Sequence, residues 1–395
     1  MLLNETRLNS VMAAHGLDAL IATSPENVTY TSGYWALSQW IRRGPQSYVY
    51  LPAPGKGTRR IVASATLLDL LADQDINVAD VTTFGSFFVD TDPDSALNRC
   101  DQRQTDLYAQ DRYESAKEAL AALLRQDQAA IRRVGIDETG LVGSLEVFQL
   151  PGAENIEFVP AFEIFREIRA TKTEPEIERL RRVAHITEDA ISVALRVAKP
   201  GVTEREMAEA FNIETIRGGA LPVLYCIGFG SRSAMPNVQP SDATLREGDI
   251  IRFDAGGRYQ HYRADIARIA VLGEPSDKVR KYHRALHLGV AKGLEMIRPG
   301  LKASDLYETV MATVRAEGIP HYKRTHVGHG IGIDGYDLPI LSASSGDVLE
   351  EGMVLCLETP YYELGFGGLQ VEDMIVVRNG GAETLMKTSG ELISV

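Results

Sequence analysis

Only three cysteines, Cys100, Cys226 and Cys356, occur in 395 residues. That is too few for a disulfide framework, so reduced thiols in a reducing compartment are expected. No window approaches 18 uninterrupted apolar residues, which argues against a membrane-spanning helix. The first residues, Met1-Leu2-Leu3-Asn4-Glu5-Thr6-Arg7, lack the apolar stretch after a basic start that a secretory leader needs. A cytoplasmic protein is therefore expected. Positive charge is in deficit: 41 basic against 54 acidic residues give a net charge of −13, the opposite of a nucleic-acid-binding footprint. Gly228-Phe229-Gly230-Ser231 is followed by no Gly-Lys-Ser/Thr, so it is not a phosphate loop.

What is present is ordinary in bulk and unusual in detail. Composition is 44% hydrophobic and 24% charged, typical of soluble globular chains. The length suggests two domains. Over the first 150 residues helical and strand patterns alternate. A capped helix is expected at 4–15, stopped by Gly16, with strands at 18–22, 47–51, 60–63 and 133–136. A further helix is expected at 113–125. The polar stretch 90–110 reads as a long loop or insertion. Together these predict an α/β domain with a mixed, partly parallel sheet. Near residue 170 the composition shifts. Lys172-Thr173-Glu174-Pro175-Glu176 opens a long helix with Thr173 as N-cap and acids in its first turn. That helix runs to Val197, where Lys199-Pro200-Gly201 stops it. The boundary lies between Pro151 and Thr173, giving domains at 1–160 and 161–395. An internal echo follows: Lys199-Pro200-Gly201-Val202 returns 99 residues later as Arg298-Pro299-Gly300-Leu301, each between two helical segments. A duplicated half-domain with a cleft on its pseudo-axis is expected.

Several carboxylates stand where strands should be apolar. Ile250-Ile251-Arg252-Phe253 ends in Asp254, Asp265 opens Ile266-Ala267, Val354-Leu355-Cys356-Leu357 ends in Glu358, and Glu372 precedes a β-branched run. A buried lone carboxylate costs several kcal/mol unless protonated, paired or metal-bound. Pairing with Arg252 or Arg268 is one solution. The other is one or two metal ions, with His329 of Gly328-His329-Gly330 as the nitrogen ligand. Two Asp, two Glu and one His suit Mn²⁺, Zn²⁺, Co²⁺ or Fe²⁺ better than a thiolate-selected metal. Cys226 and Cys356 read as buried packing residues.

The order Asp254, Asp265, Gly328-His329-Gly330-Ile331-Gly332, Glu358-Thr359-Pro360, Glu372-Asp373 resembles the pita-bread metallopeptidase family of prolidase, Xaa-Pro aminopeptidase, methionine aminopeptidase and creatinase. Residues 7–16 and 18–22 and the run Asn27-Val28-Thr29-Tyr30-Thr31-Ser32-Gly33-Tyr34 resemble the creatinase/prolidase amino-terminal domain. The resemblance implies a creatinase-like α/β domain followed by an α+β pita-bread catalytic domain. It implies two divalent metal ions, Mn²⁺ foremost. Asp254 would chelate one, Asp265 and Glu372 would bridge, and His329 and Glu358 would bind the other. Glu358 would also take a proton from water. A homodimer is implied, with Trp35, Trp40, Arg42 and Arg43 candidates to reach the partner's site and Trp40 a candidate to touch substrate.

The chain departs from that family at the auxiliary positions. Where proline-directed relatives carry a histidine and then Glu, seven residues after the metal histidine, it has Tyr336 and Asp337. A further histidine is replaced by Asn237, after Ala234-Met235-Pro236. An arginine two residues before the last Glu is replaced by Gln370. Four residues before His329 stands Thr325, with His326 one position later. Tyr336 and Asn237 thus join Glu358 as candidate catalytic groups, with His326, Asp337 and Gln370 as substrate contacts. The activity implied is hydrolysis of an amide bond in a short peptide or small amide, of the Xaa-Pro dipeptidase or aminopeptidase kind. The other readings are a C–N hydrolase similar to creatinase or ectoine hydrolase, a metal-dependent lyase using Asp337 or Tyr336 as base, and a non-enzymatic binding module. Neither nucleic acid nor membrane is an expected partner.

Overall fold

A computed structural model of the chain describes residues 2–41, 47–137, 150 and 153–395. Two units divide it, Met1–Ile168 and Arg169–Val395. Among the described residues no helix is long and apolar enough to cross a membrane.

The first unit holds a seven-stranded mixed sheet. Its order is Arg112–Tyr113, Asp80–Phe84, Arg60–Ser64, Tyr48–Pro52, Ala19–Ala22, Arg133–Ile136, Glu157–Pro160. Ala19–Ala22, buried throughout, runs antiparallel to Tyr48–Pro52 and parallel to Arg133–Ile136. This is the α/β architecture that the alternating pattern predicted. The first helix, Glu5–Ala14, is capped by the Asn4 side chain, and Gly16 follows at φ 62°. The segment around Asn27 is the helix Pro25–Ser32, started by Ser24 and ended by Gly33 at φ 78°. Buried Asp137 ties it down, accepting from Thr23 N and Oγ1, Ser24 N and Oγ, and Asn27 Nδ2 at 2.7–3.1 Å.

The stretch 90–110 is not only loop. It contains the helix Arg99–Tyr108, closed at its start by a reciprocal Asn98–Asp101 capping box. Leu107 is its one buried residue, so the helix has no apolar stripe for periodicity to detect. Capping and propensity specify it instead. The helix expected at 113–125 begins later, at Ala116 behind the Ser115 cap, because Arg112–Tyr113 pairs with the sheet edge.

The second unit is built on a ten-stranded sheet. Its main path is Tyr262–Arg263, Ile250–Tyr259, Ile266–Val271, Glu372–Arg378, Val354–Glu358, His326–Gly330, Asp337–Ser342. Leu221–Phe229 pairs with Ile250–Tyr259 outside that path. The echo in the sequence is a structural repeat. Helices Glu174–Leu195 and Asp277–Met296 each end before Pro-Gly, and Glu204–Arg217 and Ala303–Glu317 each follow. Gly201 and Gly300 take φ of 90° and 87°. Gly201 N donates to Leu245 O and Gly300 N to Leu349 O, at 2.9 and 2.8 Å. Returning bonds run from Leu245 N to Val202 O and from Leu349 N to Leu301 O. Residues 245–254 therefore correspond to 349–358. Gly248 falls on Gly352 (φ 82° and 85°) and Asp254 on Glu358. Where the two halves meet, Ala267 pairs with Glu372.

Helix Asp277–Met296 packs through Val279, His283, Leu286, Val290 and Gly293, the three-and-four spacing of one apolar face. A histidine inside such a face must stay neutral. His283 is 4% exposed and its Nε2 has no hydrogen-bond partner. Burial foremost, then the nearby His287 and Arg268, pull its pKa down to about 4. In the unfolded chain a histidine titrates near 6.5. Between those values the unfolded state binds the extra proton, so stability is full above about pH 6.5 and falls as pH drops towards 4. His283→Gln should lose about 2 kcal/mol less than the parent between pH 7 and pH 5, read from urea midpoints. Equal losses would remove His283 from the acid response.

Candidate metal centre

Strand register puts the sequence-selected acids on one face. Glu358 pairs directly with Glu372, Ala267 lies opposite both Asp254 and Glu372, and His329 lies opposite Cys356. Asp265 stands just before Ile266–Val271. Carboxylate oxygens of Asp254, Asp265 and Glu372 lie within 4.8 Å of one another. A second trio, His329, Cys356 and Glu372, meets the same limit. His329 Nε2 is 3.9 Å from Asp265 Oδ2. The glycines around His329 serve close approach: a Cβ on Gly328 would sit 2.0 Å from Cys356 O, and one on Gly330 2.2 Å from Leu338 O. Only bare backbone lets the central strand meet both neighbours here.

Electrostatics separates the acids of this cluster. Burial, then the other carboxylates, raise Asp265 and Glu372 well above their ordinary values. Asp254 is raised by burial too, although Arg252 opposes the shift. Glu358 goes the other way. Burial would lift it, but the imidazoles of His326 and His329 and the charge of Arg324 hold it down. His326 Nδ1 lies 3.2 Å from Glu358 Oε1. Asp265 Oδ1 is buried with no hydrogen-bond partner. His329 Nδ1 meets Gly330 O at 2.9 Å, a contact that needs the proton on Nδ1 and leaves the Nε2 lone pair for a ligand. Crowded acids, an orphaned carboxylate oxygen and a presented imidazole nitrogen fit a divalent cation. Arginine pairing, the alternative, holds for Asp254 (Arg252 Nη1, 3.1 Å). Arg268 pairs instead with Asp373 at 2.8 Å.

The remaining candidates divide. Gln370 joins the cluster: its Nε2 donates to Glu358 Oε2 and Glu372 Oε2 at 3.4 and 3.2 Å. The Tyr336 ring stacks on His329 with centroids 3.8 Å apart and is half exposed. Asn237 is exposed on the loop after Pro236. Trp40 belongs to the first unit, where its indole N–H donates to Thr29 Oγ1; Trp35 is exposed. Arg42 and Arg43 lie outside the described residues. Asp337 is placed differently. Expected at the substrate, it is fully enclosed, with Arg169 Nε and Nη2 on Oδ1 at 3.1 and 2.7 Å and Lys172 Nζ 3.4 Å from Oδ2. Burial would raise it, but those two cations hold it below the usual carboxylate range. Its partners lie 168 and 165 residues away, beyond any local pattern. Cys356, read as packing, is buried and also borders the candidate ligands.

Comparison with known proteins follows that geometry. The model of metallopeptidase family M24 matches residues 178–379, and that of the creatinase/prolidase N-terminal domain matches 6–171. An Xaa-Pro dipeptidase of Pyrococcus horikoshii is 31% identical over 266 residues, 67% of this chain and 75% of that one. An Xaa-Pro dipeptidase of Pyrococcus furiosus is 30% identical over 239 residues, 60% and 69% of the two chains. Among solved structures, an Xaa-Pro dipeptidase from Bacillus anthracis aligns with TM-score 0.78 at 22% identity, covering 99% and 98% of the two chains.

The enclosure of Asp337 has a measurable consequence. Asp337→Asn leaves two buried cations facing a neutral amide, a loss of about 3–5 kcal/mol for a broken buried pair. Denaturant unfolding of the variant should show that deficit; a change under about 1 kcal/mol, the scale of an exposed pair, would contradict it.

Proposed function

The chain belongs to metallopeptidase family M24, and from that membership we propose that it is an Xaa-Pro peptidase working with two divalent cations. It is a metal-dependent hydrolase of the peptidase class. What carries the finer reading is one arrangement: Asp254, Asp265, His329, Glu358 and Glu372, spread over 119 residues of sequence, gather on one sheet, four on its strands and Asp265 just before Ile266–Val271. These five would hold the cations, with Mn²⁺ first among those that suit such oxygen-rich donors. Bound there, the cations would supply Lewis acidity and lower the pKa of water towards neutrality.

The chain's own groups do the rest. Glu358, with His326 Nδ1 3.2 Å from its Oε1, is the carboxylate of this set that would accept a proton from water. His326, whose ring lies beside Glu358, would steady its charge. Gln370 is an amide where a cation would grip a substrate carboxylate, so it orients Glu358 and Glu372. Tyr336 covers one face of His329 and fixes its ring plane. A short peptide substrate, homodimeric assembly and cytoplasmic residence belong to the same reading.

Protein purified without chelator should carry near two metal ions per chain, and Asp254→Ala should lose at least one of them. Mn²⁺- or Co²⁺-loaded protein should release proline from Xaa-Pro dipeptides. Asp254→Ala should cut that rate more than about 100-fold, the upper end of what losing an outer partner of a ligand costs. Metal-loaded protein inactive on such a panel but active on a small amide would replace the peptide reading with the C–N hydrolase one.

A further inference from the structure

Arg252 stands two residues before Asp254 and is completely buried. All five of its N–H groups are used. Nε donates to Ser233 O at 2.9 Å. Nη1 donates to Asp254 Oδ2 at 3.1 Å and to Gln370 Oε1 at 3.0 Å. Nη2 donates to Met235 O and Pro236 O at 2.7 and 2.9 Å. The guanidinium carbon lies 5.2 Å from the centre of the Tyr362 ring. A buried, fully satisfied, planar cation of this kind has one orientation.

We propose that Arg252 is the positioning residue of the candidate metal centre, acting through three neighbours and never on substrate. The proposal rests on the reading of the clustered acids as metal ligands. First, Arg252 holds the Asp254 carboxylate in place. Second, it fixes the backbone turn that presents Asn237. Third, it sets the Gln370 amide. Arg252 Nη1 and the Tyr362 hydroxyl, at 3.2 Å, both donate to Oε1, so the amide oxygen must face them. The Nε2 end then points at Glu358 and Glu372. Flipping that amide would set an acceptor against two carboxylates and donors against donors. One guanidinium thus orients three of the five candidate ligands, one directly and two through Gln370. With no donor left over, it has nothing to offer a substrate.

The repeat shows that this device belongs to one half only. Position 252 corresponds to Cys356 of the other half. The residue across the strand from Arg252 is Gly228, and from Cys356 it is His329. One half thus brings a guanidinium, Arg252 on Ile250–Tyr259, and the other an imidazole, His329 on the strand beside Cys356. Because Arg252 Nη1 touches Gln370, a cation carried from position 370 would fill the same space.

The test uses the full chain with Mn²⁺ and Co²⁺ as probes. Arg252→Met, Arg252→Lys and the double variant Arg252→Met/Gln370→Arg are compared with the parent by Mn²⁺ calorimetry and Co²⁺ visible absorption. Circular dichroism of the metal-free proteins checks folding. Arg252→Met should bind Mn²⁺ about 10–100-fold more weakly, the cost typical of removing an outer partner of a ligand, with a shifted Co²⁺ spectrum. Arg252→Lys should stay weakened, since an ammonium lacks the planar fork. The double variant should regain most of the affinity and the parent spectrum. Should Arg252→Met fail to fold, Arg252→Lys and the double variant carry the comparison. Parent-like affinity and spectrum in both single variants would overturn the proposal. So would a loss that the double variant does not ease, which assigns Arg252 to packing alone. A parent protein that binds neither metal would instead overturn the metal reading beneath it.

Discussion

Carboxylates that must face one another away from water are the constraint around which the second unit is arranged. Each further negative charge in the cluster is penalised both by burial and by its neighbours. The fold answers this in two ways. Asp337 receives two in-chain cations, Arg169 and Lys172, and becomes an inert part of the framework. Asp265 and Glu372 pair with no Lys or Arg among the described residues, and burial and the neighbouring carboxylates raise both well above their ordinary values. Asp254 and Glu358 lie between these extremes, steadied by Arg252 and by the paired imidazoles. A site built to bind a cation needs acids of the second kind, held in place by neighbours of the first.

Much of this was legible in the sequence, for reasons that differ between residues. Asp254, Asp265, Glu358 and Glu372 stood out because strand patterns rarely end or begin in acids, and the glycines around His329 marked a close backbone approach. Their convergence depended on resemblance, because strand order cannot be read from spacing. The fate of Asp337 was not legible. It follows His329 by eight residues, yet its side chain is claimed by cations more than 160 positions earlier. Arg252 was visible as a pairing candidate. Its fivefold engagement depends on carbonyls of the 233–236 turn and on Gln370, none of them local. The helix Arg99–Tyr108 was hidden for the opposite reason: its signal is wholly local, in caps rather than in apolar spacing.

The repeat was half read. Pro-Gly steps 99 residues apart gave it away, but the informative match is Leu245 to Asp254 on Leu349 to Glu358. In that match the helix stops, the glycine turns and a terminal acid are kept, while the residue two before the acid changes from a cation, Arg252, to a thiol, Cys356. The scaffold is common to both halves, and their chemistry has diverged at the positions that touch the cluster.

The seam where Ala267 pairs with Glu372 has a consequence for how the molecule comes to exist. Contacts this distant in sequence carry a large loop-closure cost before any burial offsets it, and chains dominated by such contacts fold slowly. Emerging from the ribosome, the first half cannot complete its sheet until the strand carrying Glu372 has been made. Until then Asp265 stands at the start of an open edge strand, Ile266–Val271. The cluster therefore cannot be complete before the strand Glu372–Arg378 has been made.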